Sequence, residues 1–418
     1  MHARALALIT ASVLATVIAG IAYLHPSGAG AGEPRASDVS SYRLAAVDFV
    51  SATTGWVAAT LDSGSFAVLG TLDAGETWNK QLTGATDQRT VYLRFFDSRH
   101  GVLGFMGPRP AIYRTADGGH SWTMRPMSSS AYLLSMSFVD PDHGWLLFHT
   151  AELFRTADGG TTWSALGVPV AADDDPYRVQ FTDREVGWLD SASVKPVAYK
   201  SVDGGVSWRQ VPLPAPAAGW PTQGEFFVAA QPTHGSGVVA TVVNFAPYVG
   251  RSGGGERVVA YPPLTIRSFD GGLPVWYSYS IFTDSIPGGD LRGPRTDQAN
   301  RFSTEIPAPH QVQLGSLDGG ATWSAVSPPN GTGAVGFSDA RTWWWIGSGA
   351  WSTSSDGGST WSPTRNIAVI QPLPGSLQVL DSSHAWYGAM AGGTRAMLER
   401  TADAGLTWEM IGLPAAGL

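Results

Sequence analysis

Thr156-Ala157-Asp158-Gly159-Gly160-Thr161-Thr162-Trp163 is one of seven stretches that satisfy the pattern Ser/Thr-x-Asp-x-Gly-x-x-Trp without a fault. The other six begin at Thr71, Thr115, Ser201, Ser316, Ser354 and Thr401. An eighth, Ser268 to Trp276, keeps the Ser, Asp and Gly but carries one extra residue before its Trp. The box aspartates are therefore Asp73, Asp117, Asp158, Asp203, Asp270, Asp318, Asp356 and Asp403, mostly 38 to 48 residues apart. One match would carry little weight. Eight at this spacing define a repeat.

The same strands recur around each box. Upstream lies an apolar run ending in a Phe-x-Asp-like step, as at Phe138-Val139-Asp140 and Phe181-Thr182-Asp183. A second run opens with Gly-Trp or a near variant, at Gly55-Trp56, Gly144-Trp145, Gly187-Trp188 and Ala385-Trp386. A third enters the box, and a fourth leaves through its Trp. Four strands in that many residues make one propeller blade, and a single such sheet cannot bury both of its faces. The expected fold is an all-β, single β-propeller of four-stranded blades. Eight boxes predict eight blades. Seven is the alternative, because the stretch from Asp203 to Asp318 holds one weak box and poor strand patterning.

Each box residue has a local reason. A short Asp accepts hydrogen bonds from N–H groups of the turn it begins, the following Gly takes positive φ, and the Ser or Thr hydroxyl ties the entering strand. The Trp covers the hairpin with apolar area. One identical Asp per blade is a repeat rule, whereas a unique calcium or catalytic site would not recur. The eight aspartates are therefore read as structural, and no catalytic, metal-binding or cofactor-binding residue is assigned.

The 418 residues are 43% hydrophobic and 14% charged, enough apolar material for a large core. The 51 Gly, 28 Pro and 17 Trp suit short strands and tight turns. A net charge of -8 argues against nucleic-acid binding, which relies on clustered Lys and Arg. With no Cys, disulfides, thiolate metal sites and Cys nucleophiles are excluded. Residues 1–25 read as a signal peptide or membrane anchor, an apolar helix in either case, because Arg4 precedes an uncharged apolar run from Ala5 to Leu24. Ala29-Gly30-Ala31 resembles a cleavage site, so both versions stay open. Residues 26–41 read as a flexible linker and 42–418 as the propeller, in an extracytoplasmic setting.

The boxes resemble those of the Asp-box, or bacterial neuraminidase repeat, propellers, a group that includes sialidases, sortilin-type receptors, xyloglucan-cleaving enzymes and the photosystem II assembly factor family. The resemblance covers roughly Tyr42 to Ile411. It implies that the boxes lie on the face opposite the usual binding site. Sialidases resemble one another in an Arg-Ile-Pro motif ahead of the first box and three Arg residues around a carboxylate. No such motif precedes Thr71 here, and the Arg-x-Pro match at Arg292-Gly293-Pro294 is far down the chain. The single-propeller layout is most similar to the assembly factor family, whose members hold other proteins.

Residues outside the repeat are the candidates for function. His100, His143 and His384 each precede a second strand and read as turn residues, and Trp343, Trp344, Trp345 and Trp351 read as core. Trp220 lies instead in a Pro- and Ala-rich connector, and Tyr177 follows the acidic run Asp173 to Asp175. Two insertions carry Arg251, Arg257 and Tyr261, and Arg292, Arg295 and Arg301. Trp220, Tyr177, Arg251, Arg257, Tyr261, Arg292 and Arg295 are the expected partner-binding residues, on the face without boxes. The expected function is non-enzymatic binding or assembly with a protein partner, without cofactor or nucleic acid and with membrane contact only through the N-terminal segment. The alternative is a glycan-active hydrolase whose acid and base lie among Asp173 to Asp175, Glu225, Asp284 and Asp290.

Overall fold

The computed structural model describes residues 42–213 and 333–414 apart from short connections, and between them chiefly strand backbones. Residues 1–41 fall outside the described residues, and with them the expected N-terminal helix and linker. Among the described residues there is no helix, and the fold is an all-β propeller of four-stranded blades. Blade one consists of Tyr42–Phe49, Gly55–Leu61, Ser65–Thr71 and Asn79–Ala85, paired antiparallel in chain order. Blade two (Thr90–Phe95 to Thr123–Arg125) and blade three (Leu133–Phe138 to Ser164–Leu166) repeat that order. So do blade five (Gly333–Phe337 to Arg365–Asn366) and blade six (Gln378–Val379 to Glu409–Gly412).

Blade four corrects the expected count. Its sheet has eight strands, so among the described residues there are six blades where the boxes predicted eight, or seven in the alternative. The reason is a fork in one strand, Gly187–Ser193. Its opening residues pair with Val197–Ser201, while Ser191 to Ser193 pair with Val228 to Phe226 of Glu225–Pro232. Two sets of four strands thereby share one sheet. Among the described residues, the faulty eighth box founds no four-stranded blade. The strands on either side of it, Leu264–Arg267 and Val275–Ser278, form a two-stranded hairpin between Val238–Phe245 and His310–Ser316.

Blades pack through the Phe and Trp residues of the repeat. Trp56 stacks on Phe95 of the next blade at 3.4 Å between ring centroids, and Trp145 on Phe181 at 3.6 Å. The edge of the same Phe meets its own box Trp, as in Phe95 with Trp122 and Phe181 with Trp208. Each Phe is thus held from two directions. The Gly of the Gly-Trp step makes room for it, because a Cβ on Gly144 would lie 2.4 Å from the Phe138 ring. Blade six keeps the fit with other residues, placing Ala385 opposite Val379.

The ring closes between blades six and one. Phe49 stacks on Trp386 at 4.1 Å, and Leu398 and Ile411 join Val57 and Leu69 in one buried cluster. The Gln378 side chain accepts from Phe49 N–H at 2.8 Å and donates to Asp48 at 3.0 Å. Similar bonds link the first strands of successive blades. Asp48 accepts from Phe95 N–H, Tyr92 Oη from Phe138 N–H, and Ser137 Oγ from Phe181 N–H. Three residues in register with the Gly-Trp tryptophan position, Asp48, Ser137 and Gln378, are polar for this reason. They serve first-strand N–H groups that no sheet partner reaches.

Candidate partner-binding face

The boxes must be assigned before a binding face can be. In the third, Thr156 Oγ1 donates to Asp158 Oδ1 at 2.9 Å and accepts from Gly160 N–H at 2.8 Å. Asp158 Oδ1 also accepts from Thr162 N–H at 2.8 Å, and Oδ2 from the Thr162 hydroxyl at 2.7 Å. The boxes at Asp73, Asp117, Asp203, Asp356 and Asp403 have the same bonds. Asp270 and Asp318 lie outside the described residues. Sequence reasoning missed one member, the hydroxyl residue before the Trp. The signal was present, since all seven faultless boxes have Ser or Thr there.

These bonds favour the ionised carboxyl. The Thr77, Ser121 and Thr360 hydroxyls lead in lowering Asp73, Asp117 and Asp356 to about 2, and the Thr162 N–H leads for Asp158, also to about 2. A carboxyl whose folded pKa is depressed contributes stability above its unfolded value and loses it as pH falls through the folded value. The melting temperature should therefore stay level from neutral pH to about 5 and fall steeply toward pH 2. Buried Asp48, raised by desolvation, works in the opposite direction. Melts across that range check the sign, and a midpoint that rises on acidification would contradict it. Thr156→Val, which removes a hydroxyl from a residue 1% exposed, should cost about 1–3 kcal/mol by stranding the Gly160 N–H.

The turn between first and second strands lies beside the box. Gly118 N–H donates to Arg99 O, Gly159 to Asp142 O and Gly204 to Glu185 O. Asp97, Asp140 and Asp381 cap these turns, and His100, His143 and His384 each place Nδ1 within 3.0 Å of the carboxylate. The three histidines are turn residues, as expected. Burial raises Asp140, but bonds from His143, the backbone and Arg184 outweigh it and bring it to about 2. Basic residues ahead of the boxes tie blades together. Arg114 donates to Pro141 O, and Arg400 to Ala74 O at 2.8 Å while pairing with Glu409. On this face the described box and turn carboxylates serve the fold. Among the described residues, no group of three or more His, Asp and Glu could hold a metal.

The remaining connections leave the opposite ends of the strands. Tyr132, 44% exposed, lies between blades two and three with its ring edge against His149. His149 N–H donates to Tyr132 O at 3.0 Å, and Gly107 and Leu133 exchange backbone bonds beside them. The 246–309 insertion departs after Phe245 and returns at His310, where other blades turn from second to third strand.

Of the expected binding residues, Tyr177 falls at a β-bulge between Pro176 and Arg178. Arg251 and Arg257 occupy adjacent register positions on the facing strands Tyr248–Ser252 and Gly255–Ala260. Trp220, Tyr261, Arg292 and Arg295 lie outside the described residues, as do Asp173, Asp174, Asp284 and Asp290 of the hydrolase alternative. Glu225 and Asp175 are placed by backbone alone. Trp343, Trp344 and Trp345 are buried in the core and form no platform. Among the described residues, no helix is long and apolar enough to cross a membrane.

A family model described as Photosynthesis system II assembly factor YCF48 matches residues 124–229. No curated protein matches the chain. A solved structure of YCF48 bound to D1 peptide is 16% identical, with a TM-score of 0.46 over 77% of this chain and 81% of that one. YCF48 from Cyanidioschyzon merolae is 15% identical, with 0.35 over 76% and 96%. The GH74 enzyme of Niastella koreensis is 14% identical, with 0.33 over 88% and 71%. At these values the structural likenesses bear on no activity. The family match and the boxes agree on a β-propeller like that of the assembly factor.

Proposed function

We propose that the chain is a non-enzymatic, extracytoplasmic propeller that holds a protein partner through the face opposite the boxes. The observation that carries this is the assembly-factor match, which spans blade three, the first half of blade four and the connector bearing Trp220. On the box face, the described box and turn carboxylates are bound into the repeat. What falls outside the repeat is the connector bearing Trp220 and the Arg-bearing insertions. Trp and Arg are the side chains most often found at interface hot spots. A body of net charge -8 with Arg in its loops suits an acidic partner surface met by those loops.

The test uses the full chain and the partner isolated with it from the native envelope. Trp220→Ala combined with Arg251→Ala and Arg292→Ala should weaken binding at least tenfold, about 1.4 kcal/mol, and wild-type binding should weaken with salt. Unchanged affinity of the triple variant, with loss of a glycan hydrolysis on substitution of Asp173 to Asp175, would replace this function by the hydrolase.

A further inference from the structure

One outer edge of the propeller is built unlike the others. The fourth strand of blade one, Asn79–Ala85, has seven residues, while those of the other blades have two to four. Among the described residues it pairs on one side only, with Ser65–Thr71. Thr86 N–H donates back to Gly64 O at 2.9 Å, and Gly84 and Leu82 follow in the same alternate register, opposite Phe66 and Val68. The main-chain groups of Thr83 and Ala85 therefore point away from the sheet. Both residues are exposed.

An unpaired edge is a template for a further strand, and sheets normally guard it with charge, bulges or brevity. Lys80 and the bulge at Gln81 guard the start of this strand. Leu82-Thr83-Gly84-Ala85 carries no charge and no Pro, and its pairing is regular. The segment is also complementary to itself. Laid antiparallel on a second copy, with the Thr83 of each facing the other, it sets Leu82 against Gly84 on both sides, a large side chain against none. Hydroxyl meets hydroxyl at the centre, a favourable cross-strand pair, and no like charges meet.

We propose that the protein self-associates through this edge, as a two-fold dimer in which the Leu82 to Ala85 segments of two copies pair antiparallel about Thr83. Each Thr83 N–H then donates to the Thr83 carbonyl of the other copy, and two blades become one continuous sheet. The contact is isologous, so it closes on itself and makes no fibre. It is short against the surface that a permanent dimer buries, so the dimer forms and dissociates with concentration. This goes beyond the partner binding proposed above, since it uses the rim of the propeller and leaves both faces open.

Sedimentation of the full chain over a range of concentrations, in detergent that covers the apolar run Ala5 to Leu24, tests this. The parent should pass from monomer to dimer as concentration rises. Thr83→Lys and Thr83→Glu, both at an exposed position, should each keep the parent melting temperature and sediment as monomers, because like charges then stand directly opposite. An equal mixture of the two should regain the dimer, since each copy then faces the opposite charge. Thr83→Pro, which removes an N–H that faces out of the sheet, should also be monomeric. A parent still monomeric at about 1 mM would overturn the proposal and leave the edge to a strand from another protein. A dimer that persists in the Thr83→Lys and Thr83→Glu variants taken singly, or a mixture that stays monomeric, would overturn it too.

Discussion

Replacing Trp145 by alanine should lower stability by about 3–5 kcal/mol, the range for deleting a large buried aromatic. Trp145 is fully buried, stacks on Phe181 at 3.6 Å and donates to Gly204 O at 2.9 Å. One side chain thus supplies the apolar contact, the ring stack and the polar tie between blades three and four. The blade edges are too rigidly paired to collapse into the space it leaves. Trp145→Phe keeps a ring over Phe181 and loses the N–H donor, so it should cost clearly less. Denaturant midpoints for the three proteins check the order. A cost below about 1 kcal/mol for the alanine variant would mean that the blades are held by something other than these stacks.

The second large effect is expected at Arg178. Its guanidinium pairs with Asp190 across adjacent strands of blade four, with the two side chains 6% and 2% exposed. Removing one partner of a buried ion pair leaves the other as an uncompensated charge, at about 3–5 kcal/mol. Arg178→Met should therefore destabilise strongly, and adding Asp190→Leu should recover much of the loss, because an apolar pair of similar volume also fills such a site. A double variant as unstable as the single one would show that the guanidinium matters for its other contacts and not for Asp190.

The repeat was legible because its residues act within one hairpin or across one blade contact. Asp158 bonds four residues along the chain, Gly144 makes room for Phe138 of its own blade, and both recur with the period. Thr162 carried the same periodic signal but stood at a position left unspecified between Gly160 and Trp163. The blade count was not legible. It depends on Ser191 to Ser193 leaving one neighbour for Val228 to Phe226, an edge pairing with no turn or motif to announce it. The expected binding residues fall where the repeat is silent, which is why they could be named only by subtraction.

The division between a structural repeat and binding loops is tested most directly by measuring melting and partner affinity on the same samples of Thr156→Val and of the Trp220, Arg251 and Arg292 triple variant. The box variant should melt earlier and bind normally in its folded fraction. The loop variant should melt like the parent and bind at least tenfold more weakly. A box variant of parental stability that has lost the partner, beside a loop variant that binds it fully, would contradict that division and move the site to the box face.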